Sequence, residues 1–397
     1  MRVLDRFDLT YCSNIHAGET WREVHGALAS ALPSIRGALG FTGPFAIGLR
    51  LSARAAEELE RPDAFEEFRA FLRDGRYYVP TINGFPYGAF HGERVKERVY
   101  LPDWRDRARL TYTNRLSSLL AVMLADAGLA EGSVSTVPGA FKREVRSADD
   151  ERAIAYHVLD HAAHLVALRE RTGVIVALAI EPEPACFIET TTEAIDFFTR
   201  YLFDEATLAA WRHDRGLALG ADEVRRHVGL CFDACHMAVE FEHASVALER
   251  LDAAGIRVPK FQISSAIRVS RPAAGSPARQ ALAKFADDTY LHQVVEDRGG
   301  ALTRYVDLPE ALQAPAAGVD EWRVHFHVPV FLASMGELGT TQGDLVGVLD
   351  LIKQRRHGAC LEVETYTWDV LPPEYKALDM NAAIARELAW TRDRLEA

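Results

Sequence analysis

The stretch "VGLCFDACHM", residues 228–237, decides the fold. A short apolar run ends in Asp233, and a histidine, His236, follows three residues later. A brief, nearly continuous apolar run is what a strand of a parallel sheet, buried on both faces, looks like. The acid that ends it has two readings. Asp233 is the cap of a helix starting at Ala234, with His236 in its first turn, or it is a functional carboxylate presented by a strand end.

Seven further runs of strand length surround this one. They are "FDLTYC" from residue 7, "FAIGLR" from 45, "YYVPTI" from 77, "GSVSTV" from 132, "VIVALAI" from 174, "PKFQIS" from 259 and "ACLEVE" from 359. Between most of them lie segments with helical spacing, such as "AAEELERPDAFEEFRAFLRD" and "DDERAIAYHVLDHAAHLVALRERTG". Eight strands alternating with helices predict an α/β fold, a (β/α)8 TIM barrel. No tandem repeat or linker-like tract interrupts the chain, so residues 1–397 are expected to form one domain. From "FQIS" to "LEVE" about 100 residues intervene, against about 30 for a strand-plus-helix unit. An insertion is therefore expected at about 267–330. It holds a hairpin around Arg298-Gly299-Gly300 and a further strand-like run, "RVHFHVPVF".

Composition narrows the function classes. The chain has 397 residues, 48% of them hydrophobic, enough for a large core. Its net charge of −12 argues against general attraction to nucleic acid or anionic lipid. The first residues lack a signal-peptide core and no run approaches a membrane span, so a cytoplasmic protein with no membrane insertion is expected. Five scattered cysteines read as small buried residues, not as a disulfide framework.

In a parallel barrel the C-terminal strand ends converge on one mouth, where active sites sit. Glu181 follows seven apolar residues, Asp233 ends its run, Gln262 lies within "KFQISS", and "LEVET" carries Glu362 and Glu364. Singly, each is a cap or half of an ion pair as readily as a ligand. Together, three carboxylates and an amide in one mouth would repel and suffer desolvation without a cation between them. Oxygen-rich donors suit Mn2+ or Mg2+ better than Zn2+, although all three remain candidates.

The segments "IEPEPACFIETTTEAIDFF", "FDACHM", "FQIS" and "EVET" resemble the xylose-isomerase-like TIM-barrel superfamily of sugar isomerases, epimerases, hydroxypyruvate isomerase and endonuclease IV. The resemblance implies divalent-metal ligation by Glu181, Asp233, Gln262 and Glu364, with glutamine at a place more often held by histidine. It also sets His236 in a DxxH motif, near substrate in isomerase members and on an additional metal in endonuclease members. "LTYCSNIHAGETW", "TINGFPYGAFHG", "VKERVYLPDW", "VHFHVPVF" and "ETYTWDVLP" are similar to a narrower family, the EboE metabolite-traffic proteins of bacterial ebo clusters. That family name describes a genetic context, not a reaction.

What the resemblance implies first is an isomerase or epimerase of a sugar-like, polyhydroxylated carbonyl compound, free or phosphorylated. Glu181 and Glu364 would form its acid/base pair, working through an enediolate. Two rivals stand beside it: a non-catalytic metabolite carrier using the same pocket, and an endonuclease IV-like phosphoesterase. His16, Asn14, Asn83 and His91 follow early strands and are candidate substrate contacts, or loop stabilisers. His325 and His327 alternate in "HFHVPVF", as further ligands, substrate contacts or buried core histidines. His157, His161 and His164 read as helix surface. Trp21, Phe85, Trp104 and Trp368 read as core, or as apolar walls against a sugar ring. Glu183 and Glu362 read as packing or solubility residues under the carrier reading. Lys260, Arg268 and Arg271 are candidate phosphate contacts.

Overall fold

The computed structural model describes residues 1–397 apart from 90, 92, 93, 356, 357, 374, 375 and 377. Phe90, Gly92 and Glu93 of the aromatic-rich stretch after residue 83 thus lie outside the described residues. All eight apolar runs are strands. A short strand β1 (Arg2–Val3) pairs antiparallel with β2 (Phe7–Tyr11). The barrel continues with β3 (Phe45–Arg50), β4 (Tyr77–Asn83), β5 (Glu131–Thr136), β6 (Ile175–Ile180), β7 (Val228–Asp233), β8 (Lys260–Ile263) and, after the insertion, β15 (Cys360–Val363).

Parallel ladders run in the order β2-β15-β8-β7-β6-β5-β4-β3. The last seam, between β2 and β3, is stitched by one parallel bridge from Cys12 to Gly48 and by Thr10 Oγ1 donating to the Ala46 carbonyl at 2.9 Å. Gly48 is required there because a Cβ would fall 1.8 Å from Glu362 Oε1 and 2.6 Å from the Tyr11 carbonyl oxygen. Helices cover the outside of the barrel, and residues such as Phe232, Phe261 and Leu361 are buried in the main apolar core.

Residues paired across parallel strands project to the same face. Asp233, Gln262, Glu362 and Thr10 form one such row, and Cys231, Lys260, Cys360 and Asp8 the row beneath it. Polar side chains therefore enter the barrel in layers, and Glu364, two residues beyond Glu362, stands one layer higher.

The segment between β8 and β15 builds a second, antiparallel sheet. Its strands are β9 (Ile267–Ser270), β10 (Val294–Arg298), β11 (Ala301–Tyr305), β12 (Glu321–Val324), β13 (Ser334–Met335) and β14 (Leu338–Thr340). They are ordered β11-β10-β12-β9-β14-β13 around a core that includes Val269, Leu282, Trp322 and Val324. The hairpin falls where expected, with Gly299 and Gly300 both at positive φ, as a tight two-residue turn demands. The sheet runs past residue 330 to Thr340, so the insertion is longer than its sequence suggests.

One strand expectation is corrected in part: β12 takes in Arg323 and Val324 of "RVHFHVPVF" and ends there, and "HFHVPVF" is not part of a ladder. His325 N instead donates to Gln293 O at 2.8 Å and Val328 N to Ser265 O at 2.9 Å, which pins this segment above the barrel mouth. Among the described residues, no helix is long and apolar enough to cross a membrane. All five cysteines are buried and free.

Candidate metal centre

The cap reading of Asp233 accounts for only one of its two carboxylate oxygens. Its Oδ1 accepts from the His236 backbone N at 3.0 Å, capping the helix Ala234–Val239, and from Ser264 Oγ at 2.7 Å. Its Oδ2 is buried and has no hydrogen-bond partner. One oxygen thus serves the fold and the other is left for the site.

Carboxylate oxygens of Glu181, Asp233 and Glu364 lie within 4.8 Å of one another, and all three residues are buried. Glu181 follows β6, and its Oε2 also lacks a partner. Glu364 follows β15, and its Oε1 accepts from Asn14 Nδ2 at 2.7 Å and Asn83 Nδ2 at 3.1 Å. Gln262 sits between Asp233 and Glu362 in the inward row, fully buried, with neither amide atom hydrogen-bonded. Buried polar groups are nearly always paired, so orphaned acceptors converging on one point mark a place for a cation. Burial, then the neighbouring Glu364 and Asp233 charges, push the Glu181 carboxyl well above its usual range. Burial and Asp233 raise Glu364 to about 8. A divalent ion among these oxygens would remove that repulsion, so the donor set fits a metal.

Beside the carboxylates stand three imidazoles. The Nδ1 of His236 faces Pro182 O at 2.8 Å, that of His327 faces Glu364 O at 2.9 Å, and that of His325 faces Gln293 Oε1 at 2.7 Å. The first two acceptors are carbonyls. The third is fixed because Gln293 Nε2 donates to Tyr100 Oη and Pro184 O, each at 3.0 Å. Each Nδ1 therefore carries the proton, and the three Nε2 lone pairs converge, 3.1 Å from His236 to His325 and 3.3 Å from His325 to His327. Burial, and then the His236 ring, hold His325 well below the ordinary histidine range, so it is neutral. Burial lowers His327 to about 4. His236 Nε2 is 3.8 Å from Asp233 Oδ2. Ligands about 2.05 Å from a tetrahedral zinc stand about 3.3 Å apart, which is the spacing of these nitrogens.

The mouth above is a cavity of about 530 Å3, lined at its floor by Asn14, Asn83, Glu181, His236, His325 and Glu364. Glu183 and His327 also line it, and Phe85 forms part of its wall. The helix-surface expectation for His161 is corrected, and several other candidates fall away from the mouth. His16 lies off this cavity, bonded to the Tyr11 hydroxyl at 3.0 Å in a crevice with Gly18 and Arg50, and His91 does not line the cavity either. Trp21 and Trp104 are core, Trp104 donating to Thr136 Oγ1 at 3.0 Å, and Trp368 is half-buried. His161 is fully buried against Asn114 Oδ1, because the helix Ala148–Thr172 turns that position inward onto its neighbour Arg107–Asp126. Lys260, Arg268 and Arg271 are not phosphate contacts of the mouth: Lys260 is sealed in the barrel, Arg268 pairs with Glu321 at 3.0 Å, and Arg271 is exposed.

Three functional partners escape sequence reasoning. Ser264 orients Asp233, and its inward position two residues after Gln262 is a signal that period-two counting supplies. Gln293 and Tyr100 orient His325 and Glu183, with Tyr100 Oη donating to Glu183 Oε1 at 2.6 Å. They come from distant connections, and nothing in their local sequence announces it.

No protein-family model matches the chain, and no curated protein sequence does. Solved structures do resemble it. A xylose isomerase-like TIM barrel protein from Mycobacterium smegmatis, in complex with magnesium, shares 13% identity over 98% of this chain and 96% of that one, with a TM-score of 0.50. A xylose isomerase domain protein from Planctomyces limnophilus shares 14% over 100% and 99%, with a TM-score of 0.49. The IolI protein with a bound zinc atom shares 15% over 98% of each, with a TM-score of 0.48. The fold is an α/β barrel, similar to that of the magnesium-bound structure.

Proposed function

We propose that this protein is a divalent-metal-dependent isomerase or epimerase of a hydroxy-carbonyl compound. The observation that carries the reading is the convergence of Glu181, Asp233 and Glu364 within 4.8 Å, with orphaned oxygens on the first two. Glu181, Asp233, Glu364 and Gln262 would hold Mn2+, Mg2+ or Zn2+, and the ion supplies positive charge where an enediolate develops. One glutamate removes the proton from the carbon beside the carbonyl. The other, in its protonated form, returns a proton to the neighbouring carbon or to the opposite face. Asn14 and Asn83 fix the Glu364 carboxylate through its Oε1. The chemistry needs no nucleophile and no organic cofactor.

The test is solvent exchange. Metal-loaded protein in D2O should incorporate deuterium beside the carbonyl of a hydroxy-ketone substrate, and Glu181→Gln should lose turnover while retaining ligand. Absence of exchange across a panel of hydroxy-ketones, sugars and sugar phosphates would refute the isomerase reading. Ligand binding without any exchange would leave a metabolite-binding protein, the role that the EboE resemblance suggests.

A second reading, metal-dependent phosphoester hydrolysis, is favoured by the three convergent Nε2 atoms beside Asp233. They offer a nitrogen-rich place for a second ion, and paired ions suit phosphoryl chemistry. More than one tightly bound zinc per chain would favour it over isomerisation.

A further inference from the structure

The cavity sorts its polarity by depth. Above the floor, its walls are Phe85, Val95, Val99, Tyr100, Leu291 and Tyr366, contributed by two long connections and the segment after β15. Val95 and Val99 pack with Tyr290 and Tyr366 in a small apolar cluster of their own. Three polar groups along these walls are already committed. Lys96 Nζ donates to Asp307 Oδ2 at 2.6 Å and to Asp287 O at 3.0 Å. The Tyr100 hydroxyl is held between Glu183 and Gln293. Asn83 gives its Nδ2 to Glu364 and its Oδ1 to the Phe85 backbone N, 3.1 Å away. Orphaned polar atoms gather at the strand ends: Asn14 Oδ1 and Glu181 Oε2 on lining residues, with Asp233 Oδ2 and the Gln262 amide on the barrel strands β7 and β8.

We infer that the substrate has one chelating hydroxy-carbonyl head and an uncharged apolar body, and is not a free sugar or a sugar phosphate. This rests on the carboxylate cluster receiving the head, as proposed above. A compound with a hydroxyl on every carbon would set most of its hydroxyls against apolar walls and against the engaged groups of Lys96, Tyr100 and Asn83. Among the described lining residues the one Lys or Arg a phosphate would meet is Lys96, already neutralised by Asp307. An apolar body gains from the same walls.

The experiment is calorimetric binding to the full chain, with and without Mn2+ or Zn2+. Its probes share one head and differ in body: hydroxyacetone, 2-hydroxyacetophenone and D-fructose. The expected result is that 2-hydroxyacetophenone binds the metal-loaded protein at least tenfold more tightly than either of the others, with Val99→Asn narrowing that ratio. Fructose binding as tightly as the aryl ketone would overturn the inference, as would an aryl ketone no better than hydroxyacetone, including no binding by either. Failure of the metal reading looks different: the preference for the aryl ketone persists but is the same with and without metal. Deuterium exchange reports the isomerase reading separately.

Discussion

Lys260 and Glu362 form an ion pair inside the barrel, Glu362 in the inward row of Asp233 and Lys260 in the row beneath it. Lys260 Nζ is 2.5 Å from Glu362 Oε2, both side chains are fully buried, and Ser135 Oγ takes a second ammonium proton at 3.0 Å. Burial works against the lysine charge, but Glu362 together with Cys231, Cys12 and Glu181 more than offsets it and holds the ammonium well above the ordinary lysine value. Lys260→Met leaves Glu362 as a lone charge in a sealed space, and removing one partner of a buried pair costs about 3–5 kcal/mol. At about 2 °C per kcal/mol for a large domain, Tm should fall by about 6–10 °C. Lys260→Met/Glu362→Gln should recover much of the loss, since replacing both members of such a pair is often nearly neutral. Differential scanning fluorimetry on the four proteins closes the cycle. Additive single-variant losses, or a Tm change under 1 °C for Lys260→Met, would refute the reasoning.

Three further outcomes are expected. Glu387 is fully buried, accepts from Thr365 Oγ1 and Val330 N, and is raised by burial to about 7. The folded state therefore binds its proton more tightly than the unfolded chain, and the stability it contributes at low pH is lost between about pH 4.5 and 7. Glu387→Gln should remove ~3 kcal/mol of that pH dependence in denaturant titrations; an unchanged slope contradicts the assignment. Ser264→Ala should weaken metal affinity about 10–100-fold by releasing Asp233, read by competition with a chelator dye; unaltered affinity would show that Ser264 only packs. Metal uptake near pH 7 should release protons, because Glu181 and Glu364 lie above their usual range when no cation is bound. Calorimetry in buffers of differing ionisation enthalpy measures the number, and zero protons would contradict the protonated cluster.

The barrel is legible in the sequence because each strand is buried on both faces, so the eight apolar runs stand out against amphipathic helices. Glu181, Asp233, Gln262 and Glu364 are legible for the same reason: a polar residue closing or interrupting such a run is conspicuous. Asp233 shows the limit of that signal. Helix cap and free acceptor belong to different oxygens of one side chain, and spacing cannot divide a carboxylate. The histidines at 325 and 327 are legible as a pair, but their convergence on His236 depends on how the insertion folds back, which is long-range information. Glu362 reads as a surface or packing acid until the row of Lys260, Gly48 and Ser135 around it is seen. His161 misleads because a helix packed on a second helix buries a face that a solitary amphipathic reading assigns to water.

The central claim is that orphaned oxygens at the strand ends hold a divalent ion. The most direct test is metal content per chain by elemental mass spectrometry, on wild type and Asp233→Asn purified in parallel. Asparagine caps helices as well as aspartate does, so this variant keeps the fold's use of position 233 and removes the charge. The account predicts about one equivalent or more of Mn, Mg or Zn in wild type, with an equivalent lost in the variant while Tm changes little. A wild type that retains no metal after reconstitution, or a variant that retains as much as wild type, would contradict it.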